Sequence, residues 1–223
     1  MPKRSPSRHG IQLPRLGALS ALERLPAERL TDDAGYAQFS LSSCSLAGQS
    51  ARAISVEQAQ FKQVSWAETN LTSARFADVR FESCDLAGAS WQAARMSRVE
   101  FLNCRLIGLK LHEPEMRDAL FLSCNLEYTV CWSGSLKAAR FENCVLRGAS
   151  FEGTDLSGVV FRKCDLSGAD FRGTTLASAD LRGSTLADLQ VGIPELRGAI
   201  IDPSQTASLA GLLGVTVKWL DEV

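Results

Sequence analysis

The side chains best suited to chemistry in this chain are seven cysteines and two histidines. Cys84, Cys104, Cys124, Cys144 and Cys164 recur every 20 residues, with Cys44 at the same phase and Cys131 apart from them. Such regularity suits a metal site, a set of disulfides, or small core residues. Zinc needs four ligands arranged around it. A straight column cannot surround one ion, and no CxxC or histidine cluster accompanies it. A disulfide needs Cβ atoms ~3.5–4.5 Å apart, whereas parallel side chains on stacked strands stay ~4.8 Å apart. The cysteines therefore read as small apolar core residues. His9 lies in a basic N-terminal stretch, and His112 lies beside Glu113 and Glu115. Acid–base chemistry needs a concave, partly dry pocket, and no nucleophile-elbow, Walker or dinucleotide motif is present. The expectation is no catalytic residue, no metal and no cofactor.

The element that would position these residues is set by a period of five. Every fifth residue from Leu41 to Ile201 is apolar, 33 positions without a break. At a background of 45% apolar residues, chance gives roughly 10⁻¹¹. Two residues earlier lies a column of mostly Ala, Cys, Val, Thr, Ser and Gly. The unit is small–x–large–x–x, as in Cys164-Asp165-Leu166-Ser167-Gly168. An α-helix turns 100° per residue and would spread this column around its axis. A flat strand would send positions five apart to opposite faces. A short strand followed by a turn, repeated, satisfies both columns. Glycine two residues after the large position, as at Gly148, Gly158 and Gly183, suits a corner with positive φ.

A second period is visible. Phe61, Phe81, Phe101, Phe121, Phe141 and Phe161 fall 20 apart, as do Leu86 to Leu186 and the cysteines. Units such as Ala179-Asp180-Leu181-Arg182-Gly183 resemble the pentapeptide-repeat family. That resemblance implies an all-β, right-handed, four-sided β-helix of about eight coils over residues 36–201. Residues 1–35 are expected to form a disordered start and an N-terminal cap, a short helix or turn between Pro14 and Pro26. Residues 202–223 are expected to form a helix and a strand, with Asp202 as N-cap, a helix over 204–213, and Val215, Val217 and Trp219 alternating. Leu209, Leu212, Leu213, Val215, Val217 and Trp219 would serve either as a cap or, by resemblance to quinolone-resistance members of the family, as a homodimer module.

The totals restrict the partner. With 24 Lys and Arg against 25 Asp and Glu, neither direct nucleic-acid binding nor an acidic tail is expected. No run of 18 apolar residues suggests a membrane span. The first fourteen residues lack the apolar core of a secretory signal, so a cytoplasmic, reducing location is expected. Family members that protect DNA gyrase or topoisomerase IV resemble duplex DNA, with acidic walls. Here arginines crowd the acidic residues. The more unusual feature is apolar: Leu102, Ile107, Leu120, Leu122, Tyr128 and Trp132 fall at outward or corner positions. They mark either a partner-binding patch or local packing around Pro114. The sequence thus reads as a non-enzymatic scaffold, either a topoisomerase-protecting DNA mimic or an adaptor for another protein.

Overall fold

A computed structural model describes residues 10–22, 29–213 and 215. The chain winds as a parallel β-solenoid. Its strands are β1 (Ser20–Leu22), β2 (Gly35–Ser42), β3 (Ser50–Arg52), β4 (Ser55–Lys62), β5 (Asn70–Thr72), β6 (Arg75–Glu82) and β7 (Ser90–Gln92). They continue with β8 (Arg95–Leu102), β9 (Lys110–His112), β10 (Glu115–Leu122), β11 (Val130–Trp132), β12 (Ser135–Lys137), β13 (Arg140–Glu142) and β14 (Val160–Arg162). One sheet runs β1-β2-β4-β6-β8-β10-β13-β14, with β12 also on β10, and a second runs β11-β9-β7-β5-β3. From β2 upward, paired residues are 20 apart, as in Phe61 with Phe81 and Leu71 with Trp91.

Each coil has four walls. The first holds residues 39–43 and their equivalents every 20 residues. The second holds 44–48, the third 49–53 and the fourth 54–58. From Ser40 to Val160 the ladder climbs six coils, slightly fewer than the eight anticipated. Above Val160 the stacking continues as the isolated pairings Val160–Asp180 and Asp180–Ile200.

The corner residue keeps a left-handed backbone along nearly the whole rod. It adopts positive φ in nearly every repeat, whether glycine or not. At non-glycine corners φ is +50° to +58°, inside the left-handed well that L-residues tolerate. From Gly148 to Gly183 the glycine corners have φ of +61° to +73°, toward the type II turn that requires glycine. Every corner inside or ending β2 to β14 carries a non-glycine residue, and every corner glycine sits in a turn.

The inward columns behave as the period requires. Of the 33 large positions, 31 are buried; only Leu196 and Ile201, near the upper end, are partly exposed. The phenylalanines stack directly over one another. Ring centroids are 5.1 Å apart for Phe61–Phe81, 4.8 Å for Phe81–Phe101 and Phe101–Phe121, 4.6 Å for Phe121–Phe141 and 4.9 Å for Phe141–Phe161. The cysteine column runs beside them as free thiols. Each Sγ donates to the carbonyl of a phenylalanine one coil below: Cys84 to Phe61 at 3.4 Å, Cys124 to Phe101 at 3.3 Å and Cys164 to Phe141 at 3.5 Å. Ser184 continues the column and donates to Phe161 O at 3.2 Å. From Cys84 upward the column holds residues that are small and can donate, whereas Val64 below is small only. Burial pushes the Cys131 thiol up to about 12, so it stays protonated at neutral pH.

The ends differ from each other. The described part of the N-terminal segment, residues 10–22, is not a helix: residues 12–17 run extended along the outside of the rod and lead into β1, and residues 23–28 lie outside the described residues. Pro14 has no amide hydrogen to give a helix, and the neighbouring amides find acceptors on the rod instead. At the other end Asp202 caps a helical segment. Its side chain accepts from Ser204 N–H at 3.0 Å, and Gln205 Oε1 accepts from Asp202 N–H at 2.9 Å, a reciprocal capping box. A 3₁₀ turn at Pro203–Gln205 leads into α1 (Thr206–Ala210) and a second turn at Gly211–Leu213. Leu209 and Leu212 pack against the core, while Val215 is exposed. Gly214, just past the expected helix, and the expected strand residues Val217 and Trp219 lie outside the described residues, as does His9.

Candidate interaction surfaces

The apolar and aromatic residues picked out by the sequence do not form one patch. Leu102 and Leu122 pair in register on the first wall and are half-buried. Ile107 is half-buried on the second wall. Tyr128 stands at the corner between the second and third walls, 65% exposed, and Trp132 on the third wall is 48% exposed. Between Leu122 and Tyr128 the second wall presents Asn125 and Glu127. The two aromatics are thus neighbours on one coil, and the two leucines belong to a different face. Tyr128 lies against the coil above, where a Cβ on Gly148 would stand 2.9 Å from its Cε1. Trp132 meets His112 of the coil below edge-on, with centroids 5.9 Å apart.

Leu120 departs furthest from expectation. It points outward, yet it is only 2% exposed. An outward side chain is buried only when something lies over it, and here the N-terminal segment does. Gln12 N–H donates to Asp118 Oδ1 at 3.0 Å, and Arg15 N–H donates to Asp78 Oδ1 at 2.8 Å. Gln58 Nε2 donates to Arg15 O at 3.4 Å. Asp118, Asp78 and Gln58 occupy the same corner on successively lower coils, so the segment is a strap running down the rod axis. Three extended residues span ~10 Å, which matches two coils of ~4.8 Å. Glu100 and Arg140 are buried on the same wall, and Ile11 closes a small cavity with Ala138 and Arg140. The five-residue period does not reach this segment, and its leucines, spaced three apart at Leu13, Leu16 and Leu19, gave no sign of a strap.

Charge under the strap is paired. Arg98 grips Asp78 with Nε and Nη2, each 2.6 Å from a carboxylate oxygen. Arg80 Nε donates to Glu100 at 2.7 Å, and Arg140 pairs with Glu142. Burial alone would raise the Asp78 carboxyl. The hydrogen bonds from Arg98 and from the Arg15 amide, with the Arg98 charge, hold it below its ordinary value instead. Pairing also governs the open walls. Arg105 meets Asp85 at 3.1 Å on the second wall, Arg172 meets Asp170 at 2.6 Å on the third, and Arg182 meets Asp180 at 2.8 Å on the first. On the fourth wall Arg95 meets Glu115 at 3.3 Å. No wall among the described residues is continuously acidic. The fourth also carries a shallow groove of about 510 Å³ over Ala77 and Ser97.

Among the described residues, no group of three or more His, Cys, Asp or Glu side chains could hold a metal ion. No described helix is long and apolar enough to cross a membrane.

Three overlapping stretches, residues 36–111, 94–171 and 114–191, match a family model described as a pentapeptide repeat region. No curated protein matches the chain. Among solved structures, a trypsin-treated form of QnrB1, a plasmid-mediated fluoroquinolone resistance protein, is 23% identical, with 90% of this chain and 98% of that one covered and a TM-score of 0.42. HetL, a pentapeptide repeat protein involved in heterocyst differentiation regulation from the cyanobacterium Nostoc sp. strain PCC 7120, is 20% identical, with 76% and 90% covered and a TM-score of 0.35.

Proposed function

The chain belongs to the pentapeptide repeat family, and on that premise we propose that it is a non-enzymatic scaffold that binds another protein, with Tyr128 and Trp132 at the centre of the contact. One observation carries this reading: two large aromatic side chains stand exposed on adjacent walls of a single coil. Tyr and Trp are the side chains that most often dominate protein contacts. Each rests on a neighbouring coil, yet about half or more of each side chain stays open to solvent, an apolar surface that a solvated wall does not need. A photo-crosslinking residue in place of Trp132 should trap one specific protein in cells, and Tyr128→Ser should weaken that adduct. The same crosslinker at Ser90, on the bare third wall below, should trap nothing. Equal adducts from both positions would overturn the reading.

The narrower reading, protection of DNA gyrase or topoisomerase IV by a duplex-like wall, asks for uninterrupted acid. Asp85, Asp165, Asp170 and Asp180 each have an arginine beside them, which favours the adaptor. A gyrase supercoiling assay with ciprofloxacin should therefore show no protection; protection would reverse the choice. Joining of two copies through residues 202–223 belongs to the same proposal. Sedimentation of the full chain against one truncated after residue 201 tests it: both species monomeric would remove the dimer.

A further inference from the structure

The groove on the fourth wall goes beyond this reading, because it offers a different chemistry on a different face. Its shape follows from the ladder. Ala77, Ser97, Arg117 and Lys137 stack in register at one outward position. Two small side chains below two long ones leave a trough whose upper end is cationic. Arg75 and Arg95 border its lower half from the neighbouring row. Arg95 is answered by Glu115. Arg75 and Arg117 are exposed and make no salt bridge among the described residues, unlike the arginines that meet acids on the other walls; Lys137 is exposed too and is attracted to Asp155 without closing a salt bridge.

We propose that this groove binds an extended acidic segment of a partner protein. Three exposed positive charges around one trough, two of them unpaired, call for negative charge. Their spacing sets its form. Arg75 and Lys137 are three coils and two residues apart, roughly 16 Å at ordinary strand spacings. No single phosphate or carboxylate spans that distance, whereas about five extended residues do. Phe76, the aromatic residue along the trough, is turned into the core and buried, so it offers no open ring face for the stacking that single-stranded nucleic acid asks of its sites. Glu115 on the rim also interrupts the continuous positive track that a phosphate backbone would follow. The chain's own N-terminal residues are a poor occupant, since Lys3, Arg4 and Arg8 carry the same sign.

The test uses the full chain and fluorescein-labelled hexaglutamate, followed by fluorescence anisotropy. Binding is expected at about 50 mM salt and should weaken steeply toward about 300 mM. The triple variant Arg75→Glu, Arg117→Glu, Lys137→Glu should lose at least tenfold in affinity while its circular dichroism and melting point stay unchanged. Arg52→Glu, an exposed cation on the third wall, should change affinity less than about twofold. Equal losses in both variants would reduce the effect to general charge and overturn the proposal, as would no binding by the native chain. Inorganic phosphate competing at low millimolar concentration would overturn the extended ligand. Tighter binding of a single-stranded hexanucleotide would assign the groove to nucleic acid instead.

Discussion

The lower and upper coils of this rod share one core but are held at their corners by different means. In the lower coils, β2, β4, β6, β8 and β10 run eight residues each and bend through Gln38, Gln58, Asp78, Arg98 and Asp118. In the upper coils the chain turns at Gly153, Gly158, Gly168, Gly173 and Gly183 and makes mostly isolated pairings. There Asp155, Asp165, Asp170 and Asp180 each accept a hydrogen bond from the backbone N–H two residues on, the local turn that aspartate favours. Non-glycine corners carry a local cost of about 1–2 kcal/mol each. In exchange they place side chains outside the rod, and three of these, Gln58, Asp78 and Asp118, hold the strap. A glycine corner is cheaper and presents nothing. The difference teaches that the consensus repeat builds the rod, and departures from it build the surface.

The largest expected effect tests whether the two regions form one cooperative unit. Phe121 stacks between Phe101 below and Phe141 above, where long strands give way to short ones. Phe121→Ala should cost about 3–5 kcal/mol and lower a single thermal transition seen by circular dichroism. Two separate transitions would mean that the regions are independent and that their comparison is one between domains. In the adjacent column, Cys124→Leu should cost about 1–3 kcal/mol through overpacking, with Cys124→Ala milder. Equal melting points for these two variants would contradict the narrow interior at that position.

The core was fully legible in the sequence because its cause is local: each inward position is fixed by the residues five and twenty away. Corner geometry was partly legible. Glycine announced the turns at Gly148, Gly158 and Gly183, but nothing local announced that Arg98 or Ala93 would take positive φ. Stacking imposes it, since Arg98 lies between Asp78 and Asp118 with the same conformation. The site was less legible than the core. Outwardness was read correctly for Leu120, but its burial depends on a segment 106 residues away, anchored at Asp118. The separation of Leu102 and Leu122 from Trp132 by an intervening wall follows from the coil, not from closeness along the chain.

The strap sharpens the comparison, since it belongs to the lower coils' corners. Asp78→Asn removes the ion pair with Arg98 but keeps an oxygen for the Arg15 amide. The loss should be about 1.5–3 kcal/mol, read as a lower melting point and as faster cleavage of the strap by trypsin at Arg15. Acid should act in the same direction. A carboxyl held below its ordinary value stabilises the fold at pH above that of the unfolded chain and loses this contribution as pH falls through the lower, folded value. The ordinary aspartate value is 3.8, so the strap is fully held at neutral pH and weakens only below about pH 4. Acid alone does not separate the regions. Hydrogen bonds from Ser157, Arg172 and Arg182 likewise hold Asp155, Asp170 and Asp180 low in the upper coils. Asp78→Asn acts on the lower coils only, and strap release that still followed pH unchanged in this variant would exclude Asp78 as the anchor.

The smallest effect decides whether the corner residue alone sets the type of coil. A Cβ on Gly158 would meet nothing within 4 Å, while its φ is +71°. Gly158→Ala therefore tests conformation without collision. The left-handed cost for alanine, less the entropy that glycine loses on folding, leaves about 0.5–1 kcal/mol of destabilisation. Ala93, at φ +50° after β7, offers the reverse exchange, and Ala93→Gly should be neutral to stabilising by about 0.5 kcal/mol. It should not convert its corner to a turn, because Ser73 below and Glu113 above keep their left-handed conformations and the ladder joins all three. Amide hydrogen exchange at Ser90–Gln92 is the discriminating measurement. Unchanged protection in Ala93→Gly assigns the strand-holding corner to stacking, whereas faster exchange there would assign it to the single residue and make each coil's form a local choice.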